Sequence, residues 1–494
     1  MAHQPFLRER VILVINDQLP EGPVKPLPLV VDLDGTLVKT DLLVESLFAL
    51  LKQNSFYVLF LPFWLIKGRA YLKRQLSQRV TLDVSVLPYN HELLQYLRDQ
   101  RSQGRRLILA AGADERMARQ VADHLQLFDM TLGSDGSVNL SGAQKRERLK
   151  AEFGEKGFDY AGDAGRDLAV WSVARKAILV NSTEGLSLRA ARVSEIERVF
   201  KHRGKGVWPY VQALRLHHWL KNILVFVPLV LAYGFSEPGL LVQALLAFLA
   251  FGLCASSVYL INDLVDLSAD RHHPRKRERP FAAGELPPLL GLLGSVLLLM
   301  LSIVVGLLLP WPFVGMVAMY YILNLGYSFT LKRIVLLDVI VLAGLYTMRI
   351  MAGSAAVSIW PSSWLLAFST FLFLSLALVK RYAELVIMGA ETSVAQVRGY
   401  QIVDKELLAA MGCGSGYVAV LVLAIYISSG TAEIHYLRYH LVWLLCPLLL
   451  YWISYVWLIA HRGAMHDDPL VFTLRDWVSR IVMILAALVL ALAR

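Results

Sequence analysis

Hydrophobic and polar positions follow two different rhythms along the chain. From Trp219 onward, apolar runs recur with short polar breaks, and nine are long enough to cross a bilayer as helices: about 220–236, 239–261, 289–309, 312–329, 335–353, 363–380, 408–428, 439–460 and 477–493. Before residue 206 the apolar runs are short. Leu27-Pro-Leu-Val-Val31 reads as a buried strand ending in a turn, Arg106-Leu-Ile-Leu-Ala110 as a second strand, and a helical insertion lies between them at about 41–100. The insertion contains Phe56-Tyr-Val-Leu-Phe-Leu-Pro-Phe-Trp-Leu-Ile66, eleven residues where a spanning helix needs about 20. With Lys67, Arg69, Lys73 and Arg74 beside it, this segment is expected to lie in the membrane interface or against the bundle. The first 20 residues lack an apolar core leading to a small-residue cleavage site, so the amino terminus is expected to stay in the cytoplasm.

Composition sharpens the division. Of 494 residues, 56% are hydrophobic and 18% charged, against about 45 to 50% and about 25% in a soluble globular protein. Residues 1–205 carry 30 Lys and Arg with 24 Asp and Glu, whereas the longer stretch 206–494 carries only 19 and 15. We therefore expect a cytoplasmic domain over 1–205, ending in the linker Lys201-His-Arg-Gly-Lys-Gly206, and an all-α polytopic bundle of nine transmembrane helices over 206–494. The formal charge of +10 is shared between the halves, which argues for basic loops at a membrane and against a nucleic-acid-binding face. A cytoplasmic start and nine spans put the carboxyl terminus on the opposite side of the cell membrane. Of the 19 basic residues in this half, 16 then fall on the cytoplasmic side, with Arg349, Arg438 and Arg494 as exceptions. Cys254, Cys413 and Cys446 lie inside apolar runs, where they read as small buried side chains.

The richest chemistry in the apolar half follows the second span: Asn262-Asp263-Leu-Val-Asp266-Leu-Ser-Ala-Asp270, then Arg271, Arg275, Lys276, Arg277 and Arg279. On a continuing helix Asp263, Asp266 and Asp270 share one face, and three like charges there are tolerable if a cation sits among them. Hard oxygen donors beside a diphosphate suit Mg²⁺, and the basic run can meet the remaining phosphate oxygens. The pattern Asn-Asp-x-x-Asp-x-x-x-Asp resembles the first aspartate motif of the UbiA-type intramembrane prenyltransferases. That resemblance covers roughly the last 280 residues and implies nine helices around a cavity open to cytoplasm and lipid. It also implies Mg²⁺ and diphosphate at Asn262, Asp263 and Asp266, with Asp270 holding the metal or orienting the substrate.

One departure alters the implied substrate. Where ordinary members carry a second motif, Asp-x-x-x-Asp, this chain has Lys332-Arg333-Ile-Val-Leu-Leu-Asp338 with no carboxylate three or four residues beyond. That region, with Arg215-Leu-His-His-Trp219-Leu-Lys221-Asn222 and Lys380-Arg381-Tyr382-Ala-Glu384, resembles the decaprenyl-phosphate phosphoribosyltransferase branch of the superfamily. Members of that branch transfer phosphoribose from phosphoribosyl diphosphate to a polyprenyl phosphate. A diphosphate and two monophosphates would then meet in one site, and Lys221, Asn222, Arg275, Lys276, Arg279, Lys332, Arg333, Lys380 and Arg381 are the candidate binding groups. The basic ones could equally be positive-inside residues without a ligand. Arg349, about fourteen residues into its span, must face the bundle interior or find a polar partner. His272 and His273 are poor candidates for a metal that prefers oxygen, and Asp467, Asp468 and Asp476 read as solvated or helix-capping.

In the first half, Asp32-Leu-Asp34-Gly35-Thr36 ends the first strand with two carboxylates on one side. One can attack phosphorus while the other protonates the leaving group. The motif resembles that of the haloacid dehalogenase superfamily of phosphohydrolases, an α/β Rossmann-like fold whose small helical cap would be the 41–100 insertion. The resemblance spans about 27–182 and implies Lys145 as the neutralising lysine. From Gly162-Asp163-Ala-Gly-Arg-Asp167 it implies Asp163 and Asp167 as partners of Asp32 and Asp34 around a second Mg²⁺. Where that family has Thr or Ser, this chain has Ala111-Gly112-Ala113, and backbone N–H groups would have to serve. The sequence thus predicts a bifunctional membrane enzyme, with an aromatic prenyltransferase or a non-catalytic lipid-binding or transport bundle as rivals. It leaves the oligomeric state open.

Overall fold

The structure is a computed structural model that describes residues 26–201, 206–391, 399–465 and 468–494. The chain forms two compact units, Met1–Leu37 with Tyr89–His202, and Val38–Pro88 with Arg203–Arg494.

The first unit is built on a parallel sheet of six strands among the described residues: β1 (Leu29–Val31), β2 (Leu107–Asp114), β3 (Met130–Ser134), β4 (Asp159–Gly162), β5 (Lys176–Val180) and β6 (Glu195–Phe200). Their order is β3-β2-β1-β4-β5-β6. Because the parallel neighbours are joined by crossovers, β1 and β4 read as continuous buried runs, LVV and DYAG, without the alternation of a half-exposed strand. β1 pairs with β2 on one side and β4 on the other, so the order in which strands are added reverses at β1/β4, where open α/β sheets form a crevice beyond the strand ends. Val30, Ile108, Tyr160, Trp171 and Leu179 fill the core beside it.

The second unit is helical. Where the sequence predicts one helix at 220–236, the structure has a 3-10 stretch Leu216–Phe226 and a helix Val227–Leu231 opened by Pro228, both preceded by a helix Trp208–Leu214. Arg215, with φ of 51°, makes the first break. Seven elements are long and apolar enough to cross a membrane among the described residues, or eight if Pro469–Arg475 and Trp477–Ala493, bent by 81°, form one span. The expected span at 312–329 is a helix, Trp311–Phe329, but it is not among those seven. Close packing is set by small residues. A Cβ on Gly353 would lie 2.0 Å from the carbonyl oxygen of Val225, so only glycine lets Leu337–Val357 approach the 3-10 stretch.

The insertion expected at 41–100 does not stay together. Its 38–88 portion joins the helical unit, while the helix His91–Ser102 returns to the sheet unit. The division follows the packing: Phe48 shares a core with Leu260, Leu264 and Phe281 of the bundle. The apolar stretch at 56–66 forms a 3-10 turn, Ser55–Leu59, and a six-residue helix, Leu61–Ile66, with Phe56, Phe63 and Ile66 exposed.

Candidate functional site

In the sheet unit, three acidic side chains converge where β1 and β4 end. Asp32, Asp163 and Asp167 each bring an oxygen within 4.8 Å of the others, the only such group of metal-ligating type among the described residues. Asp34 is half-buried and lies outside that triad. Lys145, 2% exposed, donates to Asp32 Oδ1 at 2.7 Å, to the Ala110 carbonyl at 2.8 Å and to the Tyr160 hydroxyl at 3.0 Å. Tyr160 in turn donates to Asp167 Oδ1 at 3.0 Å, and Thr36 to Asp163 Oδ1 at 3.1 Å. Gly35 must be glycine: its φ is +82°, and a Cβ there would fall 2.2 Å from Asp163 Oδ2.

Burial and the neighbouring charges of Asp32 and Asp167 push the Asp163 carboxyl up to about 7. Burial and Asp32 likewise raise Asp167. Asp32 Oδ2 is buried with no hydrogen-bond partner. An oxygen-preferring divalent cation would relieve both conditions, so these residues fit the metal that the motif implies. The β2/β3 ladder shifts register between Ala110 and Asp114, the stretch that holds Ala111, Gly112 and Ala113.

In the helical unit a cavity of about 330 Å³ opens among the helices. Of the predicted site residues it is lined by Asn262, Asp266, Asp270, Lys276 and Arg279, which follow the second long helix, and by Lys221 and Lys380, which meet at Asp468. The long helix Pro238–Val265 stops at Asp266 and a short one, Leu267–His272, continues after it. The turn keeps its spacing because the Asp270 amide still donates to the Asp266 carbonyl at 2.8 Å. Asp263 and Asp270 share Arg279, whereas Asp266 meets other cations, and basic side chains already neutralise all three. Asp263 meets Arg215 and, at 3.3 Å, Arg279, while Asp270 meets Arg279 at 2.5 Å. Lys52 and Lys332 hold Asp266 at 3.0 and 2.7 Å. Burial opposes ionisation of Asp266, and these two ammonium groups outweigh it, keeping the carboxyl below its usual range.

These carboxylates therefore do not converge on one point as those of the sheet unit do. Asn262 and Asp266 present hard oxygen donors to the cavity, and Asp263 Oδ2, outside its lining, is buried without a hydrogen-bond partner, a donor set of the kind that suits a divalent cation.

Lys221 and Lys380 meet at a residue that motif reasoning missed. Asp468 was expected to be solvated or capping. It does cap the helix Pro469–Arg475, accepting from the Leu470 amide at 3.3 Å. It is also buried in the cavity wall, where Oδ2 accepts from Lys221 at 2.6 Å and Lys380 at 3.2 Å, and Tyr346 donates at 3.1 Å. Burial opposes its charge, but the two lysines hold the carboxyl far below the usual range. Its neighbour Asp467 lies outside the described residues. Arg349 turns into the bundle, bonding Asn222 Oδ1 at 3.1 Å and the Tyr320 hydroxyl at 2.8 Å beside the same cavity.

Several predicted binding residues stand outside the cavity lining among the described residues: Asp263, Asn222, Arg275, Lys332, Arg333 and Arg381. Arg381 is fully buried and forms an ion pair with Asp338 at 2.7 Å, its role being to neutralise that carboxylate. Arg333 caps the carbonyl of Lys52 at 3.1 Å, and Arg275 is exposed. His272 meets Asp83 at 3.0 Å.

Comparison with known proteins bears on the helical unit. The model of the UbiA prenyltransferase family matches residues 223–481. An uncharacterised protein of Sinorhizobium fredii, y4nM, is 37% identical over 476 residues, covering 95% of this chain and 92% of its own. The decaprenyl-phosphate phosphoribosyltransferase of Mycolicibacterium smegmatis is 36% identical over 192 residues, covering 38% of this chain and 60% of that protein. A UbiA homologue of Archaeoglobus fulgidus, solved with DMAPP and Mg²⁺, aligns over 57% of this chain and 99% of its own at 18% identity and a TM-score of 0.45. With a family match over more than half its length and a bundle of long apolar helices, the chain is a multi-pass membrane protein and belongs to the UbiA prenyltransferase family of transferases.

Proposed function

We propose that the helical unit transfers 5-phosphoribose from phosphoribosyl diphosphate to a polyprenyl phosphate, releasing diphosphate. The observation that carries this reading is that two charged groups line one cavity, Lys276 and Arg279 with Asp266 and Asp270, and Lys221 and Lys380 around Asp468. A prenyl diphosphate brings one anionic head. Phosphoribosyl diphosphate and a lipid phosphate together bring a diphosphate and two monophosphates, and the two groups of cations answer that demand. The likeness to a decaprenyl-phosphate phosphoribosyltransferase supports the same donor and acceptor.

In the proposed reaction an oxygen of the lipid phosphate attacks the anomeric carbon, and the bond from that carbon to the diphosphate oxygen breaks with its electron pair leaving on the diphosphate. Lys276 and Arg279 bind the departing diphosphate, while Lys221 and Lys380 position the monophosphates. Asn262, Asp263 and Asp266 would hold Mg²⁺, which when bound supplies positive charge to the leaving group.

The sheet unit is proposed to be a phosphomonoesterase of the haloacid dehalogenase type. Asp32 attacks the phosphorus of the 5-phosphate, the phosphorus–ribose oxygen bond breaks, and Asp34 gives its proton to the leaving oxygen; water, giving a proton back to Asp34, then attacks the phosphorus, and the bond to Asp32 breaks to release inorganic phosphate. Lys145 neutralises Asp32 and the phosphoryl oxygens, and Asp32, Asp34, Asp163 and Asp167 are the proposed holders of a second Mg²⁺. The product of the first reaction carries a phosphomonoester, the substrate of the second.

Membranes containing the protein, incubated with labelled phosphoribosyl diphosphate and polyprenyl phosphate, are expected to yield a labelled lipid. Transfer of a prenyl group to an aromatic acid in the same membranes, with no labelled lipid from phosphoribosyl diphosphate, would replace this reading.

A further inference from the structure

A buried ion pair and a lysine tie the insertion to the aspartate-bearing loop of the bundle. In the helix Leu42–Gln53, Glu45 accepts from both terminal nitrogens of Arg271, at 2.6 and 2.8 Å, and each side chain is 5% exposed. Thr40 donates to Glu45 at 2.5 Å, and Arg271 Nε to the Ala282 carbonyl at 3.1 Å. Burying two charges is costly unless the pairing is good, and here the remaining polar atoms are also met. One turn on, Phe48 packs with Leu260, Leu264, Leu267, Phe281 and Leu286. The helix is therefore held in one place against the loop.

Its last turn delivers Lys52, whose ammonium donates to Asp266 Oδ1 at 3.0 Å, while Lys332 donates to Oδ2 at 2.7 Å. Arg333 donates to the Lys52 carbonyl at 3.1 Å and so anchors the backbone that carries the lysine. Each oxygen of Asp266 is thus held by an ammonium group from a different part of the chain, and its orientation is set from both sides. Asp266 lines the cavity, whereas Lys52, among the described residues, stands outside that lining.

We infer that Lys52 is a positioning residue of the transferase site, holding Asp266 in the orientation in which it faces the cavity, so that the insertion is a working part of donor binding. The inference rests on the reading of the cavity as a phosphoribosyl diphosphate site.

The test uses the full-length protein in detergent with Lys52→Met, Lys52→Arg, Asp266→Asn and the Lys52→Met/Asp266→Asn pair. Binding of Mn²⁺ with inorganic diphosphate is followed by electron paramagnetic resonance, alongside KM for each substrate. Lys52→Met is expected to weaken diphosphate binding and raise KM for phosphoribosyl diphosphate about tenfold, the scale of one charge-assisted contact. KM for the polyprenyl phosphate and the thermal unfolding midpoint should stay as in wild type, and Lys52→Arg should restore most of the loss. In the Asp266→Asn background Lys52→Met should cost nothing further, because the side chain it orients is gone.

Unchanged diphosphate binding in Lys52→Met would overturn the inference. An equal rise of both KM values, or a drop in thermal stability that Lys52→Arg does not repair, would overturn it too. If wild type binds diphosphate but forms no phosphoribosyl lipid, the proposed reaction fails, while the diphosphate titration still decides the role of Lys52.

Discussion

Arg381 and Asp338 lie fully buried against each other, with Tyr400 donating its hydroxyl to the same carboxylate at 2.5 Å. Motif reasoning placed Arg381 among substrate-binding residues because it follows Lys380, but adjacent residues on a helix point about 100° apart, and only Lys380 turns to the cavity. Removing one partner of such a pair leaves an uncompensated charge, which costs about 3 to 5 kcal/mol. Arg381→Met should therefore lower the thermal unfolding midpoint of the detergent-solubilised protein sharply, and adding Asp338→Asn should recover much of it. A variant with wild-type stability and a raised KM would instead return Arg381 to substrate binding. The carboxylates of the sheet site were legible from sequence, since Asp32, Lys145, Asp163 and Asp167 each follow a strand or open a helix in a recognisable order. Asp468 was not, because an acidic residue before a proline looks like any helix cap until Lys221 and Lys380 are brought beside it.

Among the elements, the first span shows what hydropathy cannot resolve. Its composition reads as one helix, yet Arg215 in the left-handed region and a 3-10 stretch split it, placing Lys221 in the cavity wall and Asn222 against Arg349. The tight approach at Gly353 holds that irregular stretch in place. Gly353→Val puts a branched side chain where a single Cβ already lies 2.0 Å from Val225 O, far inside contact distance. The expected outcome is loss of folded, monodisperse protein after detergent extraction, checked by size-exclusion chromatography; a normal profile with normal transfer would refute the role of that contact. The insertion is the other element that sequence placed only in part. Its short helices, basic flanks and exposed Phe56, Phe63 and Ile66 agree with an interfacial segment, but its allegiance to the bundle came from Glu45, Phe48 and Lys52, whose partners are more than 200 positions away.

At the scale of the whole molecule, one chain carries two proposed activities whose chemistry runs in series, and covalent linkage keeps the second at high effective concentration near the product of the first. Asp32→Asn removes the proposed nucleophile in the sheet unit. It is expected to leave phosphoribosyl transfer at the wild-type rate while the phosphorylated lipid accumulates, as mass spectrometry of extracted lipids would record. Identical lipid profiles for wild type and Asp32→Asn would remove the phosphatase from the sequence of reactions, with Ala111 as the first residue to restore to Thr.

The amino-acid sequence by itself determined the two-part character of the chain, its long apolar helices and the local motifs. Each depends on residues near one another in sequence: the length of an apolar run, the spacing of aspartates along a helix, two carboxylates after a strand. Only the tertiary structure decided which charges meet. It paired the aspartates of the motif with Arg215, Arg279, Lys52 and Lys332, joined Lys221 to Asp468, withdrew Arg381 from the cavity, and assigned the insertion up to Pro88 to the helical unit. The physical reason is that a buried charge needs a counter-charge within a few ångströms, and packing, not proximity along the chain, selects the one it finds.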